Sequence, residues 1–162
     1  MGIGSPTVER GRMGMSTDFD RSVEELEQRV IEQARAVYSD KVVNEFYNPK
    51  NVGRMPESDA RGLVHGWCGD TMEIYLRLKR ARIEKASFVT DGCGPTVACG
   101  SMLTTMVQGM SLAEAGEVRP KDLLEALDGL PEESTHCAEL ALSTLQNELS
   151  NWHVEKDGLL DD

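Results

Sequence analysis

Apolar residues recur along the chain with two different periods, and the first of these is helical. Between residues 23 and 37 they follow one another at steps of three and four, which is typical of an amphipathic helix. Ser22 is the expected N-cap of this helix, because Glu25, three residues later, completes a capping box. The same spacing predicts five further helices: at 42–46, ending before Pro49; after Pro95; after Ser111; from Pro120; and after Cys137.

The second period is two residues long and predicts strands. From residue 72 to residue 79 every second residue is apolar and the residues between are mostly charged, which indicates a strand with one buried face. Shorter segments at 61–67 and 83–90 are predicted as its neighbours, and the short turn at 80–82 implies antiparallel pairing. The expected fold is therefore α+β: a three-stranded antiparallel sheet packed against about five helices, with an additional amphipathic helix at the N-terminus.

This pattern divides the chain into four parts. Residues 1–20 have no sustained periodicity and are expected to form a mobile tail, and residues 21–37 form a helical extension. Residues 38–152 contain all predicted strands and the remaining helices, so they are expected to form a single domain. The acidic stretch 153–162 is expected to be a C-terminal tail.

Charge and composition narrow the possible functions. The 162 residues carry 28 acidic and 17 basic side chains, a net charge of -11, which argues against nucleic-acid binding because phosphate contacts need a basic surface. No apolar run is long enough to span a membrane, and the N-terminus lacks the apolar core of a signal peptide, so we expect a cytoplasmic protein. In a reducing compartment, four cysteines favour metal or sulfur chemistry over disulfides.

Cys93 lies where the strand pattern gives way to a helical one. Gly92 and Gly94 flank it, and because they tolerate left-handed backbone and carry no Cβ, we expect them to leave room for a cofactor or partner beside the thiol. The following Pro95 suits a first helical position. A thiol just before a helix N-terminus lies in the positive end of the helix dipole, which favours the thiolate. A tight turn around a buried cysteine is the alternative interpretation.

Other chemically distinctive residues lie far from Cys93 in the sequence. Cys68 and Asp70 are two positions apart, so in extended backbone their side chains point to the same side. The adjacent His136 and Cys137 come just before the last predicted helix, so Cys137, like Cys93, would lie in the positive field of a helix start. These spacings match no zinc finger. Loops at one end of the sheet could instead bring the thiols together into a soft site for zinc or an iron-sulfur cluster. Cys99 lies about 240° around the predicted helix from Cys93 and is assigned to packing.

The order of five motifs resembles that of the iron-sulfur cluster assembly scaffold family, which comprises IscU and the N-terminal domain of NifU. The resemblance covers residues 38–149 and rests on the following matches, in order: Tyr-Ser-Asp-Lys-Val-Val at 38–43, Asn-Pro-Lys-Asn-Val-Gly at 48–53, Cys-Gly-Asp at 68–70, Gly-Cys-Gly at 92–94 and His-Cys at 136–137. It implies that the domain at 38–152 is a scaffold domain of this kind. It also implies the three-stranded antiparallel sheet packed with helices.

The resemblance implies roles for individual residues. Cys68, Cys93 and Cys137 would be the sulfur-accepting thiols and, with Asp70 and His136, the metal and cluster ligands. The protein would then be a carrier rather than an enzyme. It would build a labile 2Fe-2S cluster from iron and from sulfur supplied by a cysteine desulfurase, and pass it to apo iron-sulfur proteins. Zinc could occupy the same thiolates in isolated protein.

Two departures and two alternatives accompany this resemblance. The basic segment on which an Hsp70-type chaperone docks in the family is replaced here by Leu-Pro-Glu-Glu-Ser at 130–134, which argues against chaperone-driven transfer, and the N-terminal helix is an addition. The main alternative is a zinc-bound persulfide relay of the SufU type that builds no cluster, but that branch typically lacks the histidine found at His136. A purely structural zinc domain is the third possibility.

Overall fold

The computed structural model describes residues 17–160, with side chains for residues 17–152. Of the predicted tail at 1–20, residues 1–16 lie outside this range, as do the last two residues of the chain, whereas residues 17–20 are helical and not part of a tail. The chain divides between Val37 and Tyr38 into two compact units. Within the described range, no helix combines the length and the apolar character needed to cross a membrane.

The first unit contains helix α1, Thr17–Val37. The helix begins five residues before the predicted cap, and Ser22 lies inside it, where its hydroxyl donates to the carbonyl oxygen of Asp18 at 2.8 Å. Asp18 and Asp20 occupy the first turn, where negative charge is stabilised by the helix dipole, and this explains the earlier start. The assignment of Ser22 as N-cap was therefore wrong. No residue of α1 is buried.

The second unit has the predicted α+β architecture. Its helices are α2 to α6 and its strands are β1 to β3, which gives the expected antiparallel sheet with five packed helices. In chain order the elements are α2 Asp40–Tyr47, β1 Ala60–His65, β2 Thr71–Lys79, β3 Arg82–Thr90, α3 Gly94–Val107, α4 Leu112–Gly116, α5 Pro120–Ala126, a 3-10 turn Glu132–Ser134 and α6 His136–Leu160. Since α6 runs to Leu160, the part of the predicted C-terminal tail from residue 153 to that point is helical.

The sheet has the strand order β1-β2-β3, and both pairs are antiparallel. His65 pairs with Thr71, so β1 and β2 form a hairpin, and Met72 pairs with Thr90 at the end of β3. The hairpin loop 66–70 and the segment that follows β3 consequently lie at the same end of the sheet. This end carries the candidate site.

Helices α3 and α6 cover the sheet and form the core with it. Helix α3 packs on β3 and α2, whereas α6 packs on β1, β2 and α3. Helix α3 is buried on several sides, and Cys99 is fully buried in the core, as predicted. Other predictions confirmed here are the capping box of Ser111 and Glu114 and the apolar face of α6.

The Asn-Pro-Lys-Asn-Val-Gly turn at 48–53 is tied to the end of α2 and the middle of α3. Glu45 is only 4% exposed, and its carboxylate accepts hydrogen bonds from the Ser101 hydroxyl and from Lys50 Nζ, the latter at 3.0 Å. Asn51 adopts a left-handed backbone with φ of 62° and donates to the Thr104 hydroxyl at 3.1 Å. The described contacts of this motif are therefore structural.

Candidate functional site

Three separate segments bring the predicted site residues to one end of the sheet. The β1-β2 loop carries Cys68 and Asp70, Cys93 is the N-cap residue of α3, and Cys137 is the second residue of α6. Antiparallel pairing places the first two segments side by side. Packing of α6 on β1, β2 and α3 adds the third.

The β1-β2 loop has a tight, hydrogen-bonded shape. The amide of Gly66 donates to the carbonyl oxygen of Asp70 at 2.7 Å, and the amide of Gly69 donates to the carbonyl oxygen of Gly66 at 3.0 Å. Gly69 has φ of +96°, a left-handed value that other residues adopt with strain. This turn leaves Cys68 exposed to solvent and Asp70 half-buried.

The start of α3 is joined to the same loop. Asp91 accepts a hydrogen bond from the amide of Thr71 through Oδ1 at 2.7 Å, and the Thr90 hydroxyl donates to the carbonyl oxygen of Thr71 at 2.6 Å. Pro95 lies in the first turn of the helix, as predicted, and Cys93 is exposed. The exit from β3 is thereby fixed against the entry to β2.

Thr96 connects the segments through a single oxygen atom. Its Oγ1 donates to Asp70 Oδ2 at 3.2 Å, lies 3.3 Å from Cys137 Sγ and 3.8 Å from Cys93 Sγ. The Thr96 side chain is fully buried. Thr96 is not among the site residues predicted from the sequence, although its position three residues after the N-cap, on the same helical turn as Cys93, indicates it.

The glycines beside Cys93 serve the chain's own packing. A Cβ on Gly92 would lie 2.6 to 2.9 Å from side-chain atoms of Thr96, and a Cβ on Gly94 would lie 3.3 Å from the ring of Phe46. Neither glycine has a positive φ. The expectation that they supply left-handed backbone is therefore wrong at these positions, and close contact with Thr96 and Phe46 accounts for the glycines.

Cys137 differs from the other two site cysteines because it is buried, with 1% of its surface exposed. Burial raises the pKa of its thiol to about 11. A hydrogen bond from Thr96 opposes this shift, and the nearby Cys93, Asp70 and Cys68 add to it through like charge. The favourable field expected at a helix start is outweighed by this desolvation. The unloaded protein consequently holds Cys137 as a neutral thiol near pH 7.

His136 and an exposed tryptophan complete the site. His136 Nε2 lies 3.7 Å from Cys137 Sγ, and its ring contacts that of Trp67 with centroids 5.2 Å apart. Trp67 is 83% exposed. A cavity of about 190 Å³ lies beside Cys68 and His136. Within the described range, no three His, Cys, Asp or Glu side chains are arranged so that they could hold a metal ion.

Comparison with known proteins identifies what this chain resembles. A family model described as the NifU-like N terminal domain matches residues 37–157. The iron-sulfur cluster assembly scaffold protein IscU 1 of Archaeoglobus fulgidus is 40% identical over 126 residues, which cover 77% of this chain and 82% of the relative. IscU of Haemophilus influenzae is 34% identical over 124 residues, covering 74% of this chain and 98% of the relative.

A solved structure has the same fold. The N-terminal part of a nitrogen-fixing NifU-like protein from Brucella abortus superposes with a TM-score of 0.57, at 18% identity, over 72% of this chain and 94% of that one. At this identity the likeness concerns the fold alone.

Proposed function

Because the chain belongs to the NifU-like N-terminal domain family, we propose that it is a scaffold on which an iron-sulfur cluster is assembled and from which the cluster passes to apo-proteins. The IscU relatives carry this function in their names. The observation that carries the proposal here is the meeting of Asp70, Cys93 and Cys137 around Thr96 Oγ1, with Cys68 in the loop that bears Asp70. A hydroxyl that joins three sequence-distant site groups indicates one working site.

We assign sulfur acceptance to the thiols of Cys68, Cys93 and Cys137, and metal binding to these thiols with Asp70 and His136. Thiolate and imidazole ligands suit iron and zinc, and the exposure of Cys68 and Cys93 suits a cargo that must leave. The proposed cargo is a labile 2Fe-2S cluster, with zinc as an alternative occupant in isolated protein.

The chemistry assigned to the chain is sulfur transfer and binding. A thiolate of the scaffold attacks the outer sulfur of a persulfide on a cysteine desulfurase, the sulfur-sulfur bond of the donor breaks, and the desulfurase cysteine leaves as a thiolate. Cys68 and Cys93 are exposed, so an incoming persulfide reaches their sulfurs without a change of structure. Such a role needs no catalytic turnover by the scaffold, and apo-proteins remove the finished cluster.

Anaerobic reconstitution tests this proposal. The apo-protein is incubated with ferrous iron, cysteine and a cysteine desulfurase, visible absorption is recorded, and an apo-ferredoxin is then added as acceptor. We expect a cluster chromophore that moves to the acceptor. Replacing Cys68, Cys93 or Cys137 by serine is expected to abolish or weaken the chromophore, whereas the matched control Cys99→Ser leaves it intact because Cys99 lies in the core.

The same experiment separates the scaffold from a persulfide relay. If mass spectrometry finds persulfide on the protein but no transferable chromophore forms, the SufU-type relay with bound zinc is the better description. If Cys99→Ser alone removes the chromophore, the assignment of the site residues is wrong.

A further inference from the structure

We propose that the Thr96 hydroxyl is a positioning group that holds the unloaded site closed, so that its contacts oppose loading and favour release. The closing of the site is inferred from geometry, and its effect on loading and release rests on the proposed scaffold function. Three of its contacts are to proposed ligand groups: Asp70 Oδ2 at 3.2 Å, Cys137 Sγ at 3.3 Å and Cys93 Sγ at 3.8 Å.

Thr96 is placed so that these contacts are specific. The side chain is fully buried, and it packs so closely on Gly92 that a single added carbon there would lie 2.6 Å from its methyl group. The hydroxyl therefore has little freedom to move to other partners. It has one hydrogen to donate, which serves either the carboxylate or the sulfur at any moment.

The burial of Cys137 shows how these contacts oppose loading of the site. The residue is 1% exposed, and its sulfur lies 3.3 Å from Thr96 Oγ1 and 3.7 Å from His136 Nε2, so these two side chains cover it in the unloaded site. The hydrogen bond from Thr96 likewise occupies Asp70 Oδ2, which would otherwise be free to contact the cargo. Contacts that exist only in the unloaded state stabilise that state, and a ligand has to overcome them when it binds.

The expected magnitude is about tenfold, since a hydrogen bond to a charged group typically changes an equilibrium by a factor of about 10 or more. Thr96 thus offers a structural source for the lability that scaffolding requires.

Three variants test this. Thr96→Val replaces the hydroxyl by a methyl group of similar size, Thr96→Ser keeps the hydroxyl, and Thr144→Val makes the same change at a fully buried threonine whose hydroxyl donates to the carbonyl oxygen of Leu140 within α6. Two measurements are made on apo-protein. Peptide-resolved mass spectrometry follows alkylation of the core residue Cys99 as a measure of general loosening, and competition with a chromophoric chelator gives zinc affinity.

In Thr96→Val we expect zinc to bind about tenfold more tightly and the alkylation of Cys99 to be unchanged. Thr96→Ser and Thr144→Val should behave like the wild type. A weaker zinc affinity in Thr96→Val would mean that the hydroxyl supports the loaded site, and faster alkylation of Cys99 would mean general loosening; either result overturns the inference.

The outcomes for the two proposals are distinguishable. If the wild type builds a transferable cluster but Thr96→Val matches it in both measurements, the positioning role fails and the scaffold function stands. If the wild type builds no cluster but Thr96→Val shows the expected changes, the scaffold function fails and the role of Thr96 in closing the site stands.

Discussion

Glu148 is a buried acid far along α6, and we predict that replacing it stabilises the protein at neutral and alkaline pH. The side chain is fully buried, and neither carboxylate oxygen makes a hydrogen bond within the described residues. Burial raises the pKa of this carboxyl to about 9, and the backbone of nearby Leu76 offsets the shift only in part. The group is therefore neutral in the folded protein at pH 7.

The sign of the pH dependence follows from the raised pKa. Below pH 4.5, the ordinary value for glutamate, both the folded and the unfolded chain hold the proton. Between that pH and about 9 the unfolded chain loses the proton while the folded chain keeps it, so the free energy of unfolding falls by about 1.4 kcal/mol per pH unit. From 4.5 to 7 the loss is about 3 kcal/mol, and it reaches about 6 kcal/mol above pH 9.

Urea unfolding followed by far-ultraviolet circular dichroism measures this at pH 5.5, 7 and 8.5. Glu148→Gln keeps the side-chain shape but cannot ionise, and Glu148→Met also removes the unsatisfied polar atoms. For both variants the free energy of unfolding relative to wild type should rise by about 4 kcal/mol between pH 5.5 and 8.5, because only the wild type carries the linked proton. Glu148→Met should be the more stable variant at every pH, since it places no unpaired polar atom at this buried position.

The control is Glu139→Gln, which makes the same change at an exposed glutamate of the same helix. Its stability relative to wild type should not change with pH by a comparable amount. A flat difference between Glu148→Gln and wild type across this pH range would refute the reasoning, because it would show that the folded chain does not keep the proton on Glu148.

Three further predictions concern packing and the site. Gly92→Ala should lower the free energy of unfolding by about 1 to 3 kcal/mol. Gly94→Ala should lower it less, because the contact at 3.3 Å is with the exposed ring of Phe46, which can move. Thermal unfolding of the two variants measures the difference. Glu45→Ala should cost about 3 kcal/mol, since it removes a buried carboxylate bonded to serine and lysine, and urea titration measures the loss. Zinc loading should change the fluorescence of Trp67, measured in Trp152→Phe; an unchanged spectrum at saturation would place the ion elsewhere.

The fold could be predicted from local pattern because each element carries its own signal. The two-residue period at 72–79 and the capping box at Ser111 both correspond to observed elements. The N-terminal boundary was less accurate, because two acidic residues stabilise an additional turn ahead of Ser22. Helix propensity alone does not reveal where a helix begins when residues that favour helix lie on both sides of a plausible N-cap.

Part of the site could also be predicted from topology. Once β1, β2 and β3 are taken as consecutive antiparallel strands, the β1-β2 loop and the exit of β3 must share an end of the sheet, and this brings Cys68 near Cys93. The position of Cys137 depends instead on how α6 lies across the sheet. That is a matter of long-range packing, on which the spacing of a helical stripe gives no information.

Burial at the site was the property least accessible from sequence. A cysteine at a helix start suggests an activated thiolate, and for Cys137 this led to the wrong expectation, because the cost of desolvation exceeds the stabilisation by the helix dipole. Burial also determines how the glycines are used: Gly92 admits the Thr96 side chain rather than an external group. Gly92, which suggested an open approach to Cys93, thus allows Thr96 to reach Asp70 and Cys137. Access to the buried thiol of Cys137 therefore depends on Thr96, which lies outside the Gly-Cys-Gly motif.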